Sequence, residues 1–270
     1  MPGKGGRKTF DKKVKQIVQE QMAVEIENKH AITDYRSISI KRSIPSGVVL
    51  NGQGNFFKLL PEIDQSPTGE AGRAYNTRIG NEINLKSLSI TGALNYTNSN
   101  VAQNVYENGK IALRVMILRA KEANDVDLLF DNMPTNQLIR FGDQSFGNPN
   151  GPKPFGGQDL DAFRDINRDI FSVRYDKVFY LDAPVLLPGA GAGAEVDLSV
   201  VPSRSKIFKH ELTFGKHGLK LKYSASDDIQ ANNFPYFMVM GYSSMSSGSA
   251  LPDDDLATVS LSCVSTYTDA

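Results

Sequence analysis

The sequence contains no tryptophan, one cysteine and three histidines in 270 residues, and each scarcity narrows the function. With Cys263 alone no intrachain disulfide can form, and no C-x-x-C pair exists for zinc or thiol redox work, so a reducing compartment fits. His30, His210 and His217 are all the imidazoles available as bases or metal ligands, which lowers the expectation of enzyme chemistry. Long apolar runs are also missing. Residues 1–20 lack the hydrophobic stretch of a secretory signal, and no segment reaches the ~20 apolar residues of a membrane span. Synthesis in the cytosol, with no membrane partner, is the expectation. The motifs G-x-x-x-x-G-K-[ST], G-x-S-x-G and H-E-x-x-H do not occur, nor does G-x-G-x-x-G after a strand, so no catalytic residue, metal or cofactor is expected.

What is present is an ordinary globular composition, 40% apolar and 22% charged, enough to bury one large core behind a tail. Net charge is zero, but it is unevenly placed. Lys4, Arg7, Lys8, Lys12, Lys13 and Lys15 face only Asp11, so the first fifteen residues carry +5 and the remainder −5. These six are the candidate nucleic-acid contacts, although a solvated terminus without function reads the same way. Residues 1–6 combine Pro, Gly and Lys, which cannot repay the entropy of ordering and predict flexibility. From Thr9, a possible N-cap, the apolar residues Phe10, Val14, Ile17, Val18 and Met22 predict a short amphipathic helix over 9–22. Its stripe could lie on the chain's own body or on a neighbouring copy.

Beyond that point the period of two dominates. Ile83 and Leu85 share one parity while Leu88, Ile90, Leu94 and Tyr96 share the other, which predicts a β-bulge near Ser87. Ile111–Leu118 is apolar on nearly both faces and predicts a central strand. Strands are also predicted at 171–181, at 208–214 and 219–223 about a hairpin loop at 215–218, at 236–240 and at 259–265. Short helices are predicted at 122–130 and 159–170, and long connections at 142–157, 184–202 and 243–255. Many strands, few helices and long loops describe an all-β sandwich.

Candidate sites are sparse. His210 falls on the apolar face of its strand and reads as a hydrogen-bonded core residue rather than a ligand. Asp253, Asp254 and Asp255 could offer oxygens to Ca²⁺, but their spacing matches no known loop, and a solvated turn explains them. Asn95-Tyr96-Thr97 fits the glycosylation pattern, yet no signal would carry it to the modifying enzyme. Asp159 and Asp161 stand two apart and do not face each other across a substrate, so a hydrolase is the weakest reading.

Four segments resemble a known family in the right order. Arg78-Ile79-Gly80-Asn81-Glu82-Ile83 followed by Leu85–Gly92, Ile111–Lys121, Phe171–Leu181 and Ser205–Thr213 resemble strands in capsid proteins of circular, Rep-encoding single-stranded DNA viruses. Shell domains of tombusvirus-like RNA viruses share the pattern, so DNA versus RNA stays open. The resemblance implies a single eight-stranded jelly roll with long loops, short helices and an N-terminal arm. It also implies homomeric icosahedral assembly and genome binding on the inner surface. The arm is assigned to residues 1–42 and the shell domain to 43–270. The implied location is the virion, after synthesis in the host cytosol and with nuclear import left open; the host receptor is unknown. One departure is that the arm is not densely Arg-rich, holding one Arg before position 16. The alternative reading is a lectin-like jelly roll whose loops hold a glycan, against which stands the absence of Trp for a sugar platform.

Overall fold

Eleven strands form among the described residues, and where apolar and polar positions alternate the apolar parity turns to a core. The computed structural model describes residues 12–14, 28–44, 55–65, 77–97, 109–122, 134–141, 151–183, 204–245 and 251–269. The strands are β1 Lys29–Ile40, β2 Phe56–Lys58, β3 Glu82–Tyr96, β4 Lys110–Ala120, β5 Ile139–Phe141, β6 Gly151–Lys153, β7 Phe171–Asp182, β8 Ser205–Thr213, β9 Leu219–Lys222, β10 Tyr236–Ser244 and β11 Ala257–Asp269.

Sheet 1 has the order β1-β11-β3-β8, with β9 also pairing β3; sheet 2 has the order β2-β10-β4-β7; β5 and β6 form a separate ribbon. Every strand pair is antiparallel. The chain alternates between sheets from β1 through β4, returns to sheet 1 at β8, crosses to sheet 2 at β10 and ends beside its first strand at β11. That path is a jelly-roll-like all-β sandwich. Nine strands make up its two sheets, because β9 extends the short end of sheet 1 where β8 stops.

The bulge expected near Ser87 is present. Thr266 pairs with Ser87 and Tyr267 with Leu85, leaving Lys86 as the extra residue that swaps the buried parity from Ile83 and Leu85 to Leu88, Ile90 and Leu94. These side chains meet Ile111, Leu113, Val115 and Ile117 of β4 in the main core. Each fully buried large aliphatic there contributes roughly 1.5–3 kcal/mol. β4 lies between β10 and β7, as a strand apolar on both faces should. Its other face, with Met116 and Leu118, joins Phe56, Phe155, Ile166, Phe237 and Val239 in a second core under the segment 134–170.

Several expectations differ from what is observed. The helix expected at 159–170 is a chain of turns, because its backbone bonds elsewhere: Arg140 N–H donates to Asp165 O at 2.8 Å and Asn167 N–H to Leu138 O at 2.8 Å. Residues 29–40, read as arm, are strand β1 of sheet 1, so the sandwich begins well before residue 43. Of the helix expected over 9–22, residues 12–14 are helical and the rest lies outside the described residues. The expected helix at 122–130 lies almost wholly outside them too, as do 184–202 and parts of the loops at 142–157 and 243–255. Among the described residues, no helix is long and apolar enough to cross a membrane.

Candidate assembly and nucleic-acid surfaces

The two sheets differ in what covers them. The outer face of sheet 2 is roofed: Phe155, Ile166, Leu138 and Ile139 from the 134–170 segment bury it, and every residue of β10 is buried. The outer face of sheet 1 carries small polar residues, among them Ser89, Thr91, Ser260, Ser262 and Thr266, and no described residue is packed over it. Two large apolar side chains stand out from it, Ile32 at 63% exposure and Ile207 at 78%. Ile207 borders an open groove of about 300 Å³ shared with Tyr35, Ala93, Ser260 and Leu261. Gly92 also lines this groove, and a Cβ added there would collide with the Phe208 ring on the inner side.

A second apolar feature is built on the roof itself. The buried Arg114 forms a two-pronged bond with Asp176, Nε and Nη2 each 2.7 Å from a carboxylate oxygen. Its Nη1 donates upward to the carbonyls of Arg164 at 2.6 Å and Asp161 at 3.3 Å. Asp161, fully buried, accepts from the N–H of Gly156 at 2.8 Å and of Gln158 at 3.2 Å and is paired with Arg164. The turn 158–164 is thereby pinned from below by charge, and it projects Leu160 at 54% exposure and Phe163 at 46%. Asp161 therefore serves this framework, while Asp159 turns to the N–H of Leu160.

One end of the sandwich is closed by two further buried cations. Arg78 is fully buried and donates to the carbonyls of Asp228 at 2.8 Å, Ala225 at 2.9 Å and Ser226 at 3.1 Å, with its guanidinium 4.1 Å above the Tyr223 ring. It also donates to Gly80 O, which supplies a physical reason for an R-x-G pattern at 78–80. Lys29 bonds Asp269 at 2.5 Å and Thr77 O at 3.0 Å, tying the start of β1 to the end of β11.

The predicted site residues are distributed as follows. Lys12 and Lys13 are exposed on the helical turn 12–14, whose Val14 is 41% exposed; Lys4, Arg7, Lys8 and Lys15 lie outside the described residues. His210 is half-buried against Tyr175, ring centroids 4.6 Å apart, and burial holds its pKa below the usual histidine value. Asp254 and Asp255 point at cations of the chain itself: Asp255 bonds Lys41 at 2.6 Å and Ser39, and Asp254 lies 3.7 Å from Arg42. Lys41 and then Ser39 hold the Asp255 carboxyl below its ordinary value. Among the described residues no three metal-ligating side chains gather. Cys263 is buried in the core, where burial and then Asp34 push its thiol up to about 12. Sequence reasoning missed Leu160 and Phe163 as surface features because it placed them on the apolar side of a helix.

No protein-family model matches this chain, and no curated protein matches it. A structural likeness exists to a solved chain described as "Structure of PNGF-II in P21 space group", at 9% identity and a TM-score of 0.35. It spans 94% of this chain but 36% of that one, and a likeness this loose carries no argument about function.

Proposed function

We propose that this chain is the coat subunit of a small virus, a jelly-roll-like wedge that assembles with copies of itself into a closed shell around a single-stranded nucleic acid genome. The observation that carries the reading is the unequal cover of the two sheets. Sheet 2 is covered over β4 and β10 by its own roof, whereas Ile32 and Ile207 stand bare on sheet 1 and Leu160 and Phe163 project from a charge-pinned turn. Large apolar side chains held on rigid elements in water gain free energy when a partner surface covers them. A second copy of the same chain is the partner that explains separate patches on different flanks, since closed homomeric assemblies join unlike faces of identical subunits. The ordered resemblance of four strand segments to single-stranded DNA virus capsids agrees, and the exposed Lys12 and Lys13 fit contact with a packaged genome.

Purified protein examined by electron microscopy after size-exclusion chromatography should show uniform spheres. Deleting residues 1–15 should leave the spheres intact while lowering the 260/280 nm absorbance ratio of the particles. Monomers at all concentrations would overturn the reading, and glycan binding by such monomers would favour a lectin.

A further inference from the structure

We propose that the β8–β9 edge of sheet 1 is a second binding surface for the phosphate backbone of single-stranded nucleic acid, separate from residues 1–15. The assignment rests on the reading of the chain as a genome-enclosing subunit and names the part of the folded body that meets the genome.

Charge singles this edge out. Residues 204–222 hold Arg204, Lys206, Lys209, Lys216, Lys220 and Lys222 against the single acid Glu211, a net +5. That equals the charge of the first fifteen residues, so the rest of this neutral chain is strongly acidic. The strand period sorts these cations by face. Phe208, Leu212 and Leu221 turn into the core, whereas Lys209, Lys220 and Lys222 alternate with them and are exposed on the outer face. Lys216 and His217 are exposed in the turn between, which Gly215 and Gly218 shape with φ of 74° and 76°. Glu82 forms an ion pair with Lys220 at 2.7 Å, and Glu211 lies exposed on the same face beside Lys209.

The same face supplies the other groups that hold phosphate and sugar. Lys209 pairs with Thr91, which pairs with Ser262; Thr213 pairs with Ser87, which pairs with Thr266. Lysine and hydroxyl donors are backbone-positioning groups, and among the described residues of this face no Phe or Tyr ring is exposed on which a base could stack. The surface therefore holds the chain without reading its sequence. Topology adds a link to the arm. Lys29 pairs with Tyr267, Tyr267 with Leu85 and Leu85 with Leu219, so the segment carrying Lys12 and Lys13 joins sheet 1 in the row that begins β9. Three strand spacings separate Lys29 from Leu219, about 14 Å.

The test measures binding of a fluorescent oligothymidylate to the full chain by anisotropy across a salt series, for the parent and for Lys209→Gln/Lys216→Gln/Lys222→Gln. Each lost contact should reduce the slope of log K against log salt by about 0.7, so the triple variant should be shallower by about 2 and at least about tenfold weaker at low salt. An unchanged slope overturns the assignment, as does equal affinity for polyglutamate. Lys216→Gln alone lies in a turn outside the ladder; should the triple variant fail to fold, this variant should still lower the slope by about 0.7. Both samples are also imaged. Spheres with an unchanged slope refute this surface alone, whereas absence of spheres at any slope refutes the shell.

Discussion

Gly92 lies on the inward parity of β3, where an added Cβ would run into the Phe208 ring and sit 2.7 Å from Leu261 Cδ2. Gly92→Val should therefore overpack the core and cost about 1–3 kcal/mol in urea unfolding; a neutral result would show that the ring moves aside freely. At His210 the sign of a pH effect follows from burial. Its pKa is lowered in the fold, so the unfolded chain takes up a proton that the folded chain refuses once pH falls below about 6.5. Stability should drop between pH 7.5 and 5.5, and His210→Phe should drop less over the same interval. Equal losses would remove His210 as the cause. The chemistry of these residues was legible in the sequence only in part. His210 was placed on the apolar face of its strand by alternation, but its neighbour Tyr175 comes from the other sheet, and no local pattern encodes that contact.

Strands were the most readable elements. β3 with its bulge, β8, β9 and β11 follow from period-two alternation, β4 and β10 from unbroken apolar runs and β7 from its Val, Tyr and Phe, because each has one face or both against a core. β1 was not legible for a physical reason. It is an edge strand with Ile32 exposed outward, and its register slips between Tyr35 and Ile38, where Ser37 takes φ 49°, so apolar residues fall on both parities. β2 has three residues, too few to show any period. The turns at 159–170 mimicked a helix because Leu160, Phe163 and Ile166 recur at three, yet Ile166 alone is buried. What sets that segment is the Arg114–Asp176 pair beneath it, a long-range bond. Asp176→Asn should weaken the pair, leave a buried guanidinium short of a partner and cost about 1–3 kcal/mol. Thermal melts of the two proteins check this, and a change below ~0.5 kcal/mol would show that solvent replaces the carboxylate.

At the scale of the whole molecule, β4 and β10 of sheet 2 are covered on their outer face while sheet 1 is bare on its own, and the β8–β9 edge carries an unbalanced group of cations. The all-β sandwich could be read from the sequence because many strands with long loops leave few alternatives, while the jelly-roll path was implied by the resemblance of four segments. The unequal cover of the two sheets could not be, since it depends on which face the 134–170 segment folds across. The bare patches are where self-association is expected to act, and charges placed there should block assembly without touching the core. Leu160→Glu/Phe163→Glu should keep the parent's strand-rich circular dichroism and melting temperature, because both side chains already stand in water. Sedimentation velocity of the parent and this variant side by side is the most direct measurement. The parent should sediment as a single large closed species and the variant as a folded monomer or small oligomer; a parent that stays monomeric at high concentration, or a variant that assembles equally well, would contradict the account.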